Sequence, residues 1–144
     1  METLLTVLHV VTAVFLVGPM AVLPMTAMRA VRAGNGPTVS LLGRSTQVFG
    51  WASLLVALFG FGVLGVEGKD HGWSVGTGWV LASIACYVVA LVLTLFVVVP
   101  AMQDAAAALS AGGEGRKSYP RIAAASGIAS LLLVVVTVLM VWRP

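Results

Sequence analysis

One histidine lies inside the first apolar stretch of the chain, and it is the side chain best able to do chemistry there. Residues 4–19 read LLTVLHVVTAVFLVGP, so His9 stands among side chains typical of a membrane-spanning helix. A neutral imidazole has one donor nitrogen and one acceptor nitrogen. The ring can therefore form hydrogen bonds through both nitrogens, or it can bind a metal through the nitrogen that carries the lone pair.

Two interpretations of His9 follow from this chemistry. In the first, the ring makes a hydrogen bond to a hydroxyl group on its own helix or on a neighbouring one. The candidate hydroxyl groups are those of Thr6, Thr12, Ser83 and Tyr87. In the second, His9 is an axial ligand of b-type haem or a ligand of copper, because imidazole suits both metals.

Few other side chains are placed to complete a metal site. His71, which follows the second apolar stretch, is a weaker candidate for a second ligand. The one cysteine, Cys86, excludes an intrachain disulfide and a CxxC motif, and we expect it to pack between helices. A ligand or reactive thiol is the alternative for Cys86. Four methionines could bind Cu(I), but thioethers also fill gaps between helices, which we favour here for Met20, Met25, Met28 and Met102.

No catalytic constellation is recognisable. The apolar stretches contain no Asp, Glu, Lys or Arg away from their ends, which counts against a pump, a proton-coupled transporter or a charged pore. Their serines have no histidine at helical spacing, and the chain has no HExxH motif and no phosphate-binding loop. We therefore assign no catalytic residues and lean against an enzyme, without deciding the question.

The composition predicts a membrane protein. Of the 144 residues, 60% are hydrophobic and 9% are charged, whereas a soluble domain carries about a quarter charged residues. The net charge of +3 does not indicate nucleic-acid binding, because no soluble basic face is available to carry it. We predict an all-α polytopic membrane protein with one domain over residues 1–144. Its four transmembrane helices are expected at Thr3–Met28, Gln47–Val66, Gly78–Pro100 and Ile122–Trp142.

Basic residues near the ends of the spans predict the orientation. Six lie on the side of the first and third loops: Arg29, Arg32, Arg44, Arg116, Lys117 and Arg121. Lys69 and Arg143 are the two on the opposite side. The positive-inside rule then places the first and third loops in the cytoplasm, and both termini outside the cytoplasmic (inner) membrane. His9 would lie about 8 Å below the outer end of its helix.

The chain also contains an apparent internal repeat. The pattern R-x5-G-x-A-S-L-L begins at Arg44 and again at Arg121. Pro24 precedes the first copy about as closely as Pro100 precedes the second. We therefore predict a parallel tandem repeat of a helical hairpin, with halves at about 1–66 and 74–142. Each odd-numbered helix should kink at its proline, near the basic end.

Small residues predict where the helices touch, because they let helix backbones approach closely in a membrane. On the second helix we expect Ser53, Ala57 and Gly60 to do this. On the third and fourth helices the expected contact residues are Ala82, Cys86, Ala90, Ala123, Ser126, Gly127 and Ser130.

The first helix carries a family resemblance. The stretches LLTVLHV at 4–10 and FLVGP at 15–19, with Arg44 and Gly50-Trp51 opening the second helix, resemble small bacterial four-helix membrane families. One is an uncharacterised family of predicted integral membrane proteins of actinobacterial type. Broader relatives are the copper-resistance-D-like proteins and the J-type membrane protoporphyrinogen oxidases. In the oxidases the first-helix histidine is a haem ligand, so the resemblance implies this role for His9.

Three hypotheses of function result. In the first, a small protein of the cytoplasmic membrane binds b-type haem through His9 in a redox or haem-linked role. In the second, a non-catalytic structural or accessory protein oligomerises or binds a larger membrane complex. In the third, the protein transports a small solute or copper. The expected partners are the lipid bilayer, further copies of the chain or other membrane proteins, and not nucleic acid.

Overall fold

Four long helices make up nearly the whole protein in the computed structural model, which describes residues 1–144. All four are long and apolar enough to cross a membrane: α1 (Glu2–Arg32), α2 (Gly36–His71), α3 (Gly78–Ser110) and α4 (Gly115–Trp142). The first turn of α4, Gly115–Lys117, is a 3-10 helix. The prediction of an all-α protein with four transmembrane helices is confirmed.

Local sequence signals explain where the helices begin and end. The Asn35 side chain caps α2 by accepting a hydrogen bond from the Thr38 amide at 3.2 Å, and Pro37 follows in the first turn. Gly34 and Gly112 follow α1 and α3 with φ of +71° and +79°, a conformation that stops a helix and that glycine adopts without steric cost.

The helices are longer than the predicted spans. The second was expected at Gln47–Val66, but α2 begins at Gly36 and continues to His71. The segment from Glu67 to His71, predicted to be part of a loop, is therefore helical. Hydropathy identifies the part of a helix that suits hydrocarbon, whereas the helix itself continues into the polar interface, where its backbone bonds are equally satisfied.

Two π-helical segments interrupt the odd-numbered helices. They span Ala13–Val17 in α1 and Thr94–Val98 in α3, and in each case a proline lies two residues after the segment, at Pro19 and Pro100. A proline cannot donate to the carbonyl one turn earlier, and a π turn accommodates that gap. The pairing of Pro24 with Pro100 is therefore not reproduced, because Pro24 lies within a regular α-helical segment. The tandem repeat itself stays a prediction.

The core lies toward the end that carries the first and third loops, which we call the basic end. Eleven buried residues form its main cluster, and most of them are alanine and valine. Gly36, Gly43 and Gly50 bring α2 against α3: a Cβ added at these positions would lie 3.0 Å or less from a side chain of α3. Their seven-residue spacing keeps them on one helix face, although none of them was among the predicted contact residues.

The other end carries the termini and the second loop, and we call it the terminal end. Toward this end the bundle separates into two pairs of helices. The first arm consists of Glu2–Thr12 packed on Leu54–His71. The second arm consists of Gly78–Leu93 packed on the C-terminal half of α4. The two arms make few contacts with each other. No residue of Glu2–Thr12 is buried, so this part of α1 faces its surroundings on most sides.

Candidate functional site

His9 lies in the first arm, with its ring against α2. Its Nδ1–H donates a hydrogen bond to the Val56 carbonyl oxygen at 2.9 Å. A carbonyl can only accept, so this bond fixes the neutral ring as the Nδ1–H tautomer and leaves the lone pair on Nε2. Nε2 makes no hydrogen bond and is not sealed from its surroundings. His9 thus presents a free acceptor nitrogen from a fixed ring.

A glycine on α2 makes room for this ring. A Cβ built at Gly60 would lie 2.9 Å from Cε1 of His9 and 3.3 Å from its Nδ1. Any larger residue would push the ring away from the Val56 carbonyl. By contrast, a Cβ at Gly62 would make an ordinary contact with Leu5, and a Cβ at Gly65 would meet nothing within 4 Å. Gly60 therefore lies at a helix contact, as predicted, and the side chain that it contacts is His9.

None of the four hydroxyl groups proposed as partners of His9 bonds to its ring. Thr12 donates to the Leu8 and His9 carbonyls of its own helix, and Thr6 donates to Glu67. Ser83 donates to the Trp79 carbonyl, and Tyr87 bonds to Ser53. The actual partner is a backbone carbonyl oxygen. Every residue has such an oxygen, so the sequence cannot indicate which one the His9 ring reaches.

His71 is not brought to His9. It lies in the last turn of α2, eleven residues after Gly60, or about 16 Å along the helix axis. Its ring stacks on Trp73 with the ring centroids 4.4 Å apart, and its Nδ1–H donates to the Glu67 carbonyl. The interpretation of His71 as a second ligand therefore has no geometric support within one copy of the chain.

The soft ligands are also dispersed. Met20 and Met102 are fully buried in the core, as gap filling requires, whereas Met25 is exposed. Cys86 is half-buried and free. No group of three or more His, Cys, Asp or Glu side chains is close enough to hold a metal ion. Any metal at His9 would have to bring most of its ligands with it, as haem iron does.

Ser53 and Tyr87 form a polar link between α2 and the second arm, at the point where α2 enters the first arm. The Ser53 hydroxyl donates to the Gly50 carbonyl at 2.7 Å and lies 2.7 Å from the Tyr87 hydroxyl. Since the single Ser53 proton is already used, Tyr87 donates to Ser53. Ser53 is fully buried, and α2 is irregular at this residue.

Glu67 is a functional candidate that hydropathy did not reveal, because its position was predicted to be a loop. Its carboxylate accepts a hydrogen bond from the Thr6 hydroxyl at 2.8 Å and lies 3.7 Å from the Arg143 guanidinium. The Arg143 guanidinium also lies 5.1 Å from the centre of the Trp73 ring. This cluster ties the C-terminus of α4 to the first arm at the terminal end.

The six basic residues used for orientation all lie at the basic end, but in different surroundings. Arg121 lies 3.8 Å from Asp104, and Arg116 lies 3.7 Å from Glu114. Arg32 donates to the Tyr119 hydroxyl. Arg29, Arg44 and Lys117 are exposed and form no ion pair. This end has six cationic and two acidic side chains, a net charge of +4, while the terminal end has two cationic and three acidic ones, a net charge of −1.

The predicted small-residue contacts are realised unevenly. Ala90 and Ser126 are buried, and Cys86, Ala123 and Ser130 are half-buried. Ala82 is exposed, and a Cβ at Gly127 would meet nothing within 4 Å. The Ser130 hydroxyl reaches the Ala21 carbonyl at 3.5 Å. Close contacts between α2 and α3 are instead made at Gly36, Gly43 and Gly50.

These features define a polytopic integral membrane protein with a four-helix bundle. The chain belongs to the family of predicted integral membrane proteins termed DUF2269, which it matches over residues 3–144. The recognition of such a membrane family from the sequence is confirmed. No curated protein matches the chain, and no solved structure does.

Proposed function

We propose that the protein binds b-type haem in the membrane through His9 and acts in electron transfer or in another haem-linked role. The observation that carries this proposal is the hydrogen bond from His9 Nδ1–H to the Val56 carbonyl. A ligand histidine is commonly oriented by such a bond from its other ring nitrogen to a backbone carbonyl. It fixes the tautomer that offers Nε2 to iron.

The surroundings of His9 are compatible with a large flat ligand. No residue of Glu2–Thr12 is buried, so a porphyrin could reach the ring from the membrane side without displacing a core residue. The exposed apolar side chains of this segment, including Val7 and Val10, would supply the apolar contacts that a porphyrin needs. Haem would supply one-electron chemistry, and His9 would hold it through Nε2.

The test is the absorption spectrum of the full-length protein, purified in mild detergent from cells supplied with a haem precursor. We expect a Soret band that is lost in His9→Ala and kept in His71→Ala. Gly60→Ala should also reduce the band, because its methyl group displaces the ring, whereas Gly65→Ala should keep it. A colourless wild-type protein, or equal haem content in His9→Ala, would contradict the proposal.

A second candidate function is favoured by the exposure of α1. In the most hydrophobic 18-residue stretch of α1, 6% of the residues are buried, whereas 33% are buried in the corresponding stretch of α3. Leu4, Val7, Val11 and Val14 are all exposed at alternating three- and four-residue spacing, which is the spacing of a helix-packing seam. In this alternative, the protein is a non-catalytic accessory subunit whose α1 packs against another membrane protein or a second copy.

Bulky substitutions distinguish packing from lipid contact on α1. We expect Val11→Phe to weaken association in native membranes, measured by crosslinking and native gel electrophoresis. Val134→Phe on α4 is the matched control, because Val134 is similarly exposed but lies on another helix. If both variants migrate like the wild type, α1 faces lipid and this alternative is wrong.

We further propose that the basic end faces the cytoplasm and that the protein lies in the cytoplasmic membrane. The net charge of +4 at that end supports this orientation. In a Cys86→Ser background, Ser74→Cys should react with an impermeant thiol reagent added outside intact cells, and Ser110→Cys should react only after lysis. The reverse pattern would contradict the proposed orientation.

A further inference from the structure

The basic end contains an open concavity that neither the family nor the proposed haem site explains. Its volume is about 570 Å³, and it lies between the end of α1, the end of α3 and the start of α4. Its charged and polar lining includes Arg32, Arg116, Glu114 and Tyr119, while Val31 and Leu109 form an apolar wall. The concavity therefore combines cationic groups with an apolar wall.

Arg32 has unused binding capacity in this concavity. No carboxylate lies within ion-pair distance of its guanidinium. Its polar partner is the neutral Tyr119 hydroxyl, and its guanidinium carbon also lies 5.1 Å from the centre of the Tyr119 ring. A guanidinium has five N–H donors, so most remain free for a ligand. The contact with Tyr119 orients the group without neutralising it.

Arg116 adds a second cation to the lining of the concavity. Its partner Glu114 is 3.7 Å away, and both side chains are more than 70% exposed, so the pair is weak and easily exchanged for another anion. The loop that carries Arg116 and Glu114 packs against α3 and the end of α1. A Cβ at Gly115 would lie 3.3 Å from the Ala105 carbonyl and from Val31, and the Gly113 amide donates to the Ala108 carbonyl.

We propose that this concavity is a binding site for a phosphate-bearing anion, and that the anion is the headgroup of an anionic phospholipid. Arginine presents a planar fork that matches phosphate oxygens, and basic pockets at the ends of membrane helices suit such headgroups. Arg32 and Arg116 hold the phosphate, and Tyr119 positions Arg32. Leu109, which is half-buried, contacts the glycerol and the upper part of the acyl chains.

The test is lipid binding by the full-length protein, followed by native mass spectrometry and by thermal unfolding in detergent. Phosphatidylglycerol is the anionic probe, phosphatidylcholine the zwitterionic one, and inorganic phosphate the free anion. We expect selective binding of phosphatidylglycerol, weakened roughly fivefold by Arg32→Gln or Arg116→Gln and more by the double variant. Arg32→Lys should have an intermediate effect, because it keeps the charge and loses the fork.

The matched control is Arg29→Gln, which removes an exposed cation of the same end outside the concavity. It should leave binding within about twofold of the wild type. Arg116 is highly exposed, so Arg116→Gln tests the site even if Arg32→Gln misfolds. Binding of inorganic phosphate as tight as that of phosphatidylglycerol would overturn the lipid assignment. Equal losses in Arg29→Gln and Arg116→Gln, or equal binding of phosphatidylcholine, would overturn the site.

Discussion

At the terminal end the two arms have the same layout of paired antiparallel helices, but they are built from different residues. In the first arm, the half of α2 from Leu54 to His71 contains four glycines and carries Glu67, and α1 contributes His9 and Thr6. In the second arm, α3 and α4 pack through buried side chains, among them Ala90, Ala129 and Leu133. The second arm is thus held by packing, whereas the first has an open apolar surface and a few polar contacts.

The difference between the arms indicates which part of a small membrane bundle can accommodate a functional site. Packing between helices replaces the hydrophobic effect as the stabilising force inside lipid, so the well-packed arm and the basic end can hold the fold. The first arm is then free to keep a glycine beside His9 and an unbonded Nε2. Four sets of substitutions test this difference between the arms.

The first prediction concerns a packed alanine of the second arm. Ala90→Leu should lower the free energy of unfolding by about 1–3 kcal/mol, because Ala90 is fully buried and the added atoms have no space. Ala82→Leu, on the same helix at an exposed position, should change it by less than about 0.5 kcal/mol. The measurement is unfolding in mixed SDS micelles, followed by tryptophan fluorescence. Equal losses would mean that the second arm is not held by packing at Ala90.

The second prediction concerns the glycines of the first arm. A Cβ at Gly68 would lie 2.6 Å from the Trp73 carbonyl oxygen, a backbone atom that cannot move alone. Gly68→Ala should therefore destabilise the protein by on the order of 1–2 kcal/mol. Gly65→Ala should be neutral or slightly stabilising, because its Cβ meets nothing and alanine favours the helix. The same unfolding assay compares them, and similar values for both would contradict a role of Gly68 in holding the second loop.

The third prediction concerns the link between the arms. Ser53→Ala leaves the half-buried Tyr87 hydroxyl without its acceptor, at a cost of about 1 kcal/mol. Tyr87→Phe should cost less, about 0.6 kcal/mol, because Ser53 keeps its bond to the Gly50 carbonyl. Thermal unfolding of both variants and of the double variant would measure the coupling. Fully additive effects would show that the two hydroxyl groups do not interact.

The fourth and smallest effect is expected at the terminal end. Arg143→Gln should lower stability by less than about 1 kcal/mol, because its ion pair with Glu67 is 3.7 Å long and Arg143 is 41% exposed. The difference from the wild type should shrink at high salt. Thermal unfolding at low and high salt is the measurement. A loss that does not depend on salt would indicate that Arg143 acts through its contact with Trp73.

The predictability of the site differs from residue to residue. His9 stands out in the sequence because a polar ring in an apolar helix is rare, and hydropathy alone reveals it. Its partner, the Val56 carbonyl, could not be predicted, because every residue has a carbonyl and helix rotation decides which one is reached. The hydropathy of the sequence falls at Glu67, so the sequence predicts a loop at this residue. The seven-residue spacing of Gly36, Gly43 and Gly50 is visible in the sequence, but small residues also recur on the other helices, and their spacing does not show which of them pack.

The amino-acid sequence is sufficient to predict the four apolar helices, the histidine within the first of them and the end of the bundle at which the cationic residues gather. These are local properties, since the length of an apolar run and the charges beside it do not depend on distant contacts. Only the folded structure reveals the split into two arms, the Nδ1–H tautomer of His9, the hydrogen bond between Tyr87 and Ser53 and the concavity at Arg32. Each of these depends on how helices rotate and approach one another, which is set by packing between residues far apart in the chain.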